Sequence, residues 1–232
     1  MDLDREKNVY YLKFVKSADN GKSWSEPVDI TSQITKPEWH NDFKFITSGR
    51  GIQTESGKLM HNVVNLKRGL FLFASDDHGK TWRLLDTPIK PADESKMVEL
   101  ADGSLMINSR VNGKGNRYIH TSTDNGQTWE SKPDTALIDP SCNAGFIRYT
   151  SIKNGDDKNR LLFSNAKSNK GRTNMTIRIS YDEGKTWSAG KTIFSGGSAY
   201  SALTILKNGD IGLFFEKDNH KANVFTKVSL KW

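Results

Sequence analysis

Short apolar and β-branched runs alternate with polar turn clusters along the whole of this 232-residue chain. "NVYYLKFVK", "GLFLFA", "RYIHT" and "NMTIRI" have the length and composition of strands rather than of helices. Asp102-Gly103, Asn154-Gly155 and Asn208-Gly209 punctuate the intervals, and dipeptides of this kind favour the backbone of a β-hairpin turn. No stretch carries the 3.6-residue period of an amphipathic helix over a useful length. The pattern predicts an all-β protein built from antiparallel units of about four short strands each.

Each of the four runs leads into a near-copy of one octapeptide. "SADNGKSW", "SDDHGKTW", "STDNGQTW" and "SYDEGKTW" begin at Ser17, Ser75, Ser122 and Ser180, with steps of 58, 47 and 58 residues. Repetition at such a period indicates repeated supersecondary units, and radial repetition of four-stranded sheets gives a β-propeller. Within the octapeptide, Asp19, Asp77, Asp124 and Asp182 can accept hydrogen bonds from backbone amides of their own turn. Gly21, Gly79, Gly126 and Gly184 can supply a positive φ. The terminal Trp offers a large ring for packing the turn onto its sheet. A calcium loop of the EF-hand type would need further oxygen ligands, a Glu at its twelfth position and flanking helices, which none of the four boxes supplies. The boxes are therefore expected to be structural, and no metal site is expected.

Composition narrows the setting. Hydrophobic residues make up 35% of the chain and charged residues 26%, without an apolar run long enough to span a membrane. The opening "MDLDREKNVYY" lacks the apolar core of a secretion signal. Cys142 is the single cysteine, which excludes an internal disulfide. The net charge of +7 arises from 34 Lys/Arg and 27 Asp/Glu that are interspersed rather than clustered. Such a surface could serve nucleic acid, a polyanionic glycan or only solubility, and charge does not decide between them.

The octapeptides resemble the Asp-boxes of the sialidase (neuraminidase) family, and the stretches between them strengthen the likeness. "MVELADGSLMINSRVNGKGNRYIHTSTDNGQTW", "GRTNMTIRISYDEGKTW" and "GGSAYSALTILKNGDIGLFFE" follow the order and spacing of bacterial sialidase segments. The resemblance implies a six-bladed propeller, of which residues 1–232 would supply about four to four and a half blades as a single domain. It also implies an exo-α-sialidase that releases terminal sialic acid from glycoproteins or glycolipids with retention of configuration and without a cofactor or a nucleic-acid partner. Sialic acid carries a carboxylate on its anomeric carbon, and the planar fork of Arg can bond a carboxylate through two N–H groups. By resemblance Arg117 and Arg172 are the carboxylate ligands, with Arg110 and Arg178 as competitors for that role. The same carboxylate would repel an attacking Asp or Glu, and retaining sialidases use Tyr instead. Tyr200 matches that nucleophile and Glu99 the glutamate that activates it, while Asn143 and Gln53 are candidate sugar contacts.

The first carboxylate-binding arginine of the family and the Asp that serves as its general acid have no counterpart in this sequence. The chain resembles the C-terminal two-thirds of a sialidase catalytic domain, which implies a need for the upstream segment and a secreted or cell-surface bacterial parent. A second reading is a non-catalytic Asp-box propeller that binds a sialylated glycan or a protein.

Overall fold

The computed structural model describes residues 2–4 and 9–229; Arg5–Asn8 of the charged N-terminal stretch lie outside the described residues. Two small antiparallel pairs come first, β1 (Asp2–Asp4) with β2 (Val9–Tyr11) and β3 (Lys13–Phe14) with β4 (Val28–Asp29). A four-residue helix α1 (Thr31–Ile34) and a 3-10 turn over Pro37–Trp39 follow. The next sheet contains β5 (Lys44–Ile46), β6 (Ile52–Gln53), β7 (Leu59–Asn65), β8 (Gly69–Ser75) and β9 (Arg83–Ile89). A four-stranded meander then runs through β10 (Ser95–Glu99), β11 (Leu105–Ser109), β12 (Asn116–Ser122) and β13 (Glu130–Ile138). The last six strands are β14 (Gly145–Thr150), β15 (Arg160–Ala166), β16 (Thr173–Ser180), β17 (Lys191–Ile205), β18 (Ile211–Lys217) and β19 (Ala222–Val228). The fifteen-residue β17 is shared: its first half pairs with β16 and its second half with β18.

All ladders are antiparallel, and β6, β10, β14 and β17 lie near one another in sequence order. This is the arrangement of a partial sialidase-type propeller, with those strands innermost. Both faces of an interior sheet are apolar because it is sandwiched between two others, whereas on the last sheet Phe214 and Phe225 are exposed. In "GLFLFA", Phe71 and Phe73 pack with Ile34 and Trp39 on one side, while Leu70, Leu72 and Ala74 meet Met97, Leu105 and Ile107 on the other. The two-residue period of a strand turns a continuous apolar run into two separate cores. The same sandwiching recurs where Val98, Met106 and Ile119 meet Phe146, Leu161 and Phe163. Among the described residues no helix is long and apolar enough to cross a membrane.

The four boxes are the turns that leave β8, β12, β16 and the segment after β3. In the third box, Ser122 Oγ donates to Asp124 Oδ1 at 2.7 Å and the Gly126 amide donates to Ser122 Oγ at 2.8 Å. The amides of Gln127 and Thr128 donate to Asp124 Oδ1 at 3.0 and 2.9 Å, and the Thr128 hydroxyl donates to Oδ2. The box glycines adopt φ of +80° to +88°. Ser122 pairs with Leu105 beside the Leu100–Ser104 hairpin, so the box and that hairpin share one end of the sheet. Trp82, Trp129 and Trp187 pack between sheets, Trp187 against Phe146 and Phe163, whereas Trp24 is 62% exposed.

Candidate active site

The opposite end of the β10–β11 hairpin carries different chemistry. Ser95 pairs with Ser109 there, and the ladder continues past the strands: the Arg110 amide donates to the Glu94 carbonyl and the Asp93 amide to the Arg110 carbonyl, both at 3.0 Å. Glu94 and Arg110 are thereby placed across from one another. Arg110 Nη1 donates to Glu94 Oε2 at 2.6 Å, and Arg110 Nε donates to Asn112 Oδ1 at 2.8 Å.

Tyr200 reaches this pair from β17. The register against β18 shifts between Ser198 and Ser201, and the Tyr200 amide bonds Glu216 Oε2 at 3.0 Å. Such a bulge re-aims the side chain it carries. The Tyr200 hydroxyl donates to Glu94 Oε2 at 2.7 Å and accepts from Arg110 Nη1 at 3.2 Å. Arg172, just before β16, places its guanidinium carbon 5.6 Å from the Tyr200 ring centre, while its Nη2 donates to the Ser141 carbonyl at 3.0 Å. Burial, then the hydrogen bond to Glu94 and its charge, push the Tyr200 phenol up to about 12, against the opposing effect of Arg110. Burial pulls the Arg110 guanidinium down, but the bond to Glu94 and the charges of Glu94 and Asp93 outweigh it and hold the cation firmly ionised.

Tyr200 and Arg172 therefore meet as expected, but three other expected residues lie elsewhere. Glu99 stands at the far end of β10, five residues and about 16 Å along the strand from Glu94; its Oε2 accepts from the Glu55 amide at 2.7 Å. Glu94 is the carboxylate at Tyr200, and Glu99 is not. Gln53 pairs with Leu59, which in turn pairs with Ser75 of the second box, so it too belongs to the box end. There Gln53 and Glu99 line a separate cavity of about 640 Å³ together with Arg50 and Arg148. Arg117 has no solvent exposure at all. It shares a strand face with Ile119, two residues on, and so points between the sheets. Its guanidinium donates to Asn108 Oδ1 (2.7 Å), the Cys142 carbonyl (2.7 Å) and Asp139 Oδ2 (3.4 Å). Arg178 is also buried, bonded to Asn165 Oδ1 at 3.2 Å. Of the four arginines weighed from the sequence, Arg110 and Arg172 face Tyr200, whereas Arg117 and Arg178 support the interior behind it.

Asn143 follows Ser141 and Cys142, whose segment lies against Arg172 and Arg117. It is buried, with Oδ1 accepting from Lys96 Nζ at 2.7 Å and Nδ2 donating to the Ser48 carbonyl at 3.4 Å. Burial raises the Cys142 thiol to about 12, so it is a neutral packing group. Glu94 went unrecognised in the sequence, yet counting back from the Asp102-Gly103 turn sets it opposite Arg110, and that register was its available signal.

On this propeller segment a tyrosine hydroxyl is thus clasped by a glutamate and an arginine. The BNR repeat-like domain family matches residues 4–213. A sialidase of Micromonospora viridifaciens is 38% identical over 223 residues, covering 90% of this chain and 34% of the relative. A sialidase of Bacteroides fragilis is 33% identical over 214 residues, covering 88% of this chain and 39% of the relative. Among solved structures, the Hadza microbial sialidase Hz136 superposes with a TM-score of 0.85 at 32% identity, over 95% of this chain and 44% of that one. The chain belongs to the bacterial-type sialidase family of BNR-repeat β-propellers, and it spans between a third and a half of the length of these relatives.

Proposed function

We propose that this chain carries the nucleophile, its base and two carboxylate-binding arginines of a retaining exo-α-sialidase. One observation carries the reading: the Tyr200 hydroxyl donates to Glu94 at 2.7 Å while Arg110 and Arg172 flank it. A phenol at about 12 is ionised to only about one part in 10⁵ near pH 7, so its proton must leave during attack. Glu94 is placed to take it. Tyr200 Oη then bonds the anomeric carbon, the bond to the leaving oxygen breaks, and that oxygen takes a proton from an acid outside this group of residues. Water, deprotonated by a base, later displaces Tyr200 with a second inversion, which restores the original configuration. Arg110 and Arg172 would hold the substrate carboxylate, Arg110 turning its fork partly from Glu94 to do so.

Calorimetric titration with N-acetylneuraminic acid and release of a fluorogenic sialoside test the proposal together. Arg172→Met should weaken sugar binding by about 10- to 100-fold, the scale of a charge-assisted hydrogen bond. Tyr200→Phe should keep binding and lose turnover. Binding without turnover in the parent chain would favour the glycan-binding reading, and turnover that survives Tyr200→Phe would overturn the nucleophile.

A further inference from the structure

The two hydroxyl bonds that orient Tyr200 are the two that the proposed chemistry spends. Its proton passes to Glu94, and Oη leaves both Glu94 and Arg110 to bond carbon. What keeps the nucleophile in place through that step must therefore act on its backbone. Between the pairs Ser198–Lys217 and Ser201–Phe215, two residues of β17, Ala199 and Tyr200, stand opposite the single residue Glu216 of β18. A bulge of this kind disrupts the ladder and leaves an amide without its acceptor. The Tyr200 amide finds one in the Glu216 side chain, with Oε2 at 3.0 Å.

Glu216 is itself held. His220 Nδ1 lies 2.9 Å from the same Oε2, and because a carboxylate only accepts, the ring proton sits on Nδ1. His220 belongs to the β18–β19 turn, in which Asp218, Asn219 and His220 have φ of +52°, +55° and +67°. Three successive left-handed residues, none of them glycine, form a backbone that surrounding contacts must maintain. Here the contact is with the strand that carries the nucleophile. The Asp218 amide donates to the Gly197 carbonyl at 2.7 Å, and a Cβ on Gly197 would come within 3.3 Å of Asn219 Oδ1. One residue on, the Ser198 amide donates to the Arg172 carbonyl at 2.8 Å. The turn thus braces the segment 197–200, which joins Tyr200 to the arginine beside it.

Resting on the nucleophile reading above, we propose that Glu216 and His220 are positioning residues for Tyr200. Glu216 supplies the acceptor that the bulge removes, and His220 holds that carboxylate on the Tyr200 amide. Both act on the backbone of Tyr200 and, through it, on where Oη can reach.

The test treats the chain with 2,3-difluorosialic acid. Tyr200 Oη bonds the anomeric carbon, the carbon–fluorine bond there breaks, and the Tyr200 proton goes to Glu94. Fluoride leaves as an anion, so no leaving-group acid is required. The fluorine on the neighbouring carbon slows hydrolysis, and the adduct is read by intact mass. Glu216→Ala should lower the maximal labelling rate about 10- to 100-fold, as for a nucleophile misplaced by about 1 Å. The half-saturating probe concentration should stay within about twofold, because Arg110 and Arg172 remain. Glu216→Gln, which keeps an acceptor oxygen, should recover most of the rate. His220→Ala should lose about 3- to 10-fold, the scale of one hydrogen bond. His220→Asn, whose Nδ2 can donate in place of Nδ1, should restore it. Thermal melts establish that the variants are folded. A folded Glu216→Ala that labels at the parental rate, or a Glu216→Gln as slow as Glu216→Ala, overturns the proposal. The Tyr200 amide resonance, assigned by its loss in Tyr200→Phe, should move upfield in Glu216→Ala; an unmoved resonance also overturns it. A parent chain that takes no label counts against the nucleophile reading, and the resonance still decides whether Glu216 holds Tyr200.

Discussion

At one end of the β10–β13 meander, the hydrogen bonds of the Asp124 side chain close within the seven residues 122–128; at the other end, the Tyr200 hydroxyl bonds a carboxylate 106 residues away. The box end is locally satisfied, repeated four times and chemically quiet. The Tyr200 end is assembled once, from β10, β11, the lead into β16 and a bulge in β17, and it concentrates the opposed charges. Stability and chemistry are thus separated along the same strands. A turn that satisfies itself can be copied into every sheet, whereas a site requires groups that no single sheet supplies.

The sharpest way to break this contrast is Tyr200→Phe. In a form completed with the upstream segment of the domain, turnover of a fluorogenic sialoside should fall by at least about 10⁴-fold, as expected when a nucleophile is lost. The melting temperature should stay nearly unchanged, because Glu94 and Arg110 remain paired at 2.6 Å. Trp187→Ala is the converse. Removing a ring wedged against Phe146 and Phe163 should cost about 3 kcal/mol in denaturant unfolding and leave sugar affinity per folded molecule unaltered. Asp182→Ala, which strips three acceptor contacts from the fourth box, should cost about 1–2 kcal/mol with no effect on affinity.

Acid should dismantle the box end selectively. Hydrogen bonds from the side chain and amide of Ser23, and from those of Thr128, hold Asp19 and Asp124 at about 2, below the ordinary 3.8. A carboxylate depressed by folding stabilises the native state above its unfolded value, and that stabilisation disappears as pH falls through the folded value. Unfolding midpoints should accordingly drop between pH 4 and pH 2, and Asp124→Asn should flatten that part of the profile. The smallest effect belongs to Trp24→Ala, below about 0.5 kcal/mol, because its ring is mostly in water. A loss comparable to that of Trp187 would show that the first box packs like the others.

The same contrast explains what was legible in the sequence. The boxes could be read residue by residue because their hydrogen bonds join neighbours, and the apolar runs before them gave the strands and the propeller class. That Tyr200 and Arg172 would meet was legible through the motifs around them. Glu99 was expected beside Tyr200, where Glu94 stands instead, because both glutamates flank one strand and a five-residue strand carries one to each end of the sheet. Arg117 was expected to face Tyr200, where Arg110 lies instead, because alternation along β12 turns Arg117 between sheets, which a linear motif does not reveal. Gln53 sits in a loop whose pairing with Leu59 places it at the box end. The contact between Glu216 and the Tyr200 amide gave no signal, since it depends on a register shift within β17.

The exposed indole of the first box also gives the molecule a built-in optical probe. Trp39 is enclosed beside Phe71, and the Trp of the later boxes sit between sheets, so their emission should be blue-shifted and poorly quenched by acrylamide. Trp24 should emit at longer wavelength and quench readily. Any surface that comes to rest on the first box, whether another protein segment or a second copy of the chain, would shift the Trp24 component, the one exposed indole among the described residues. Steady-state fluorescence could then follow the docking without a label.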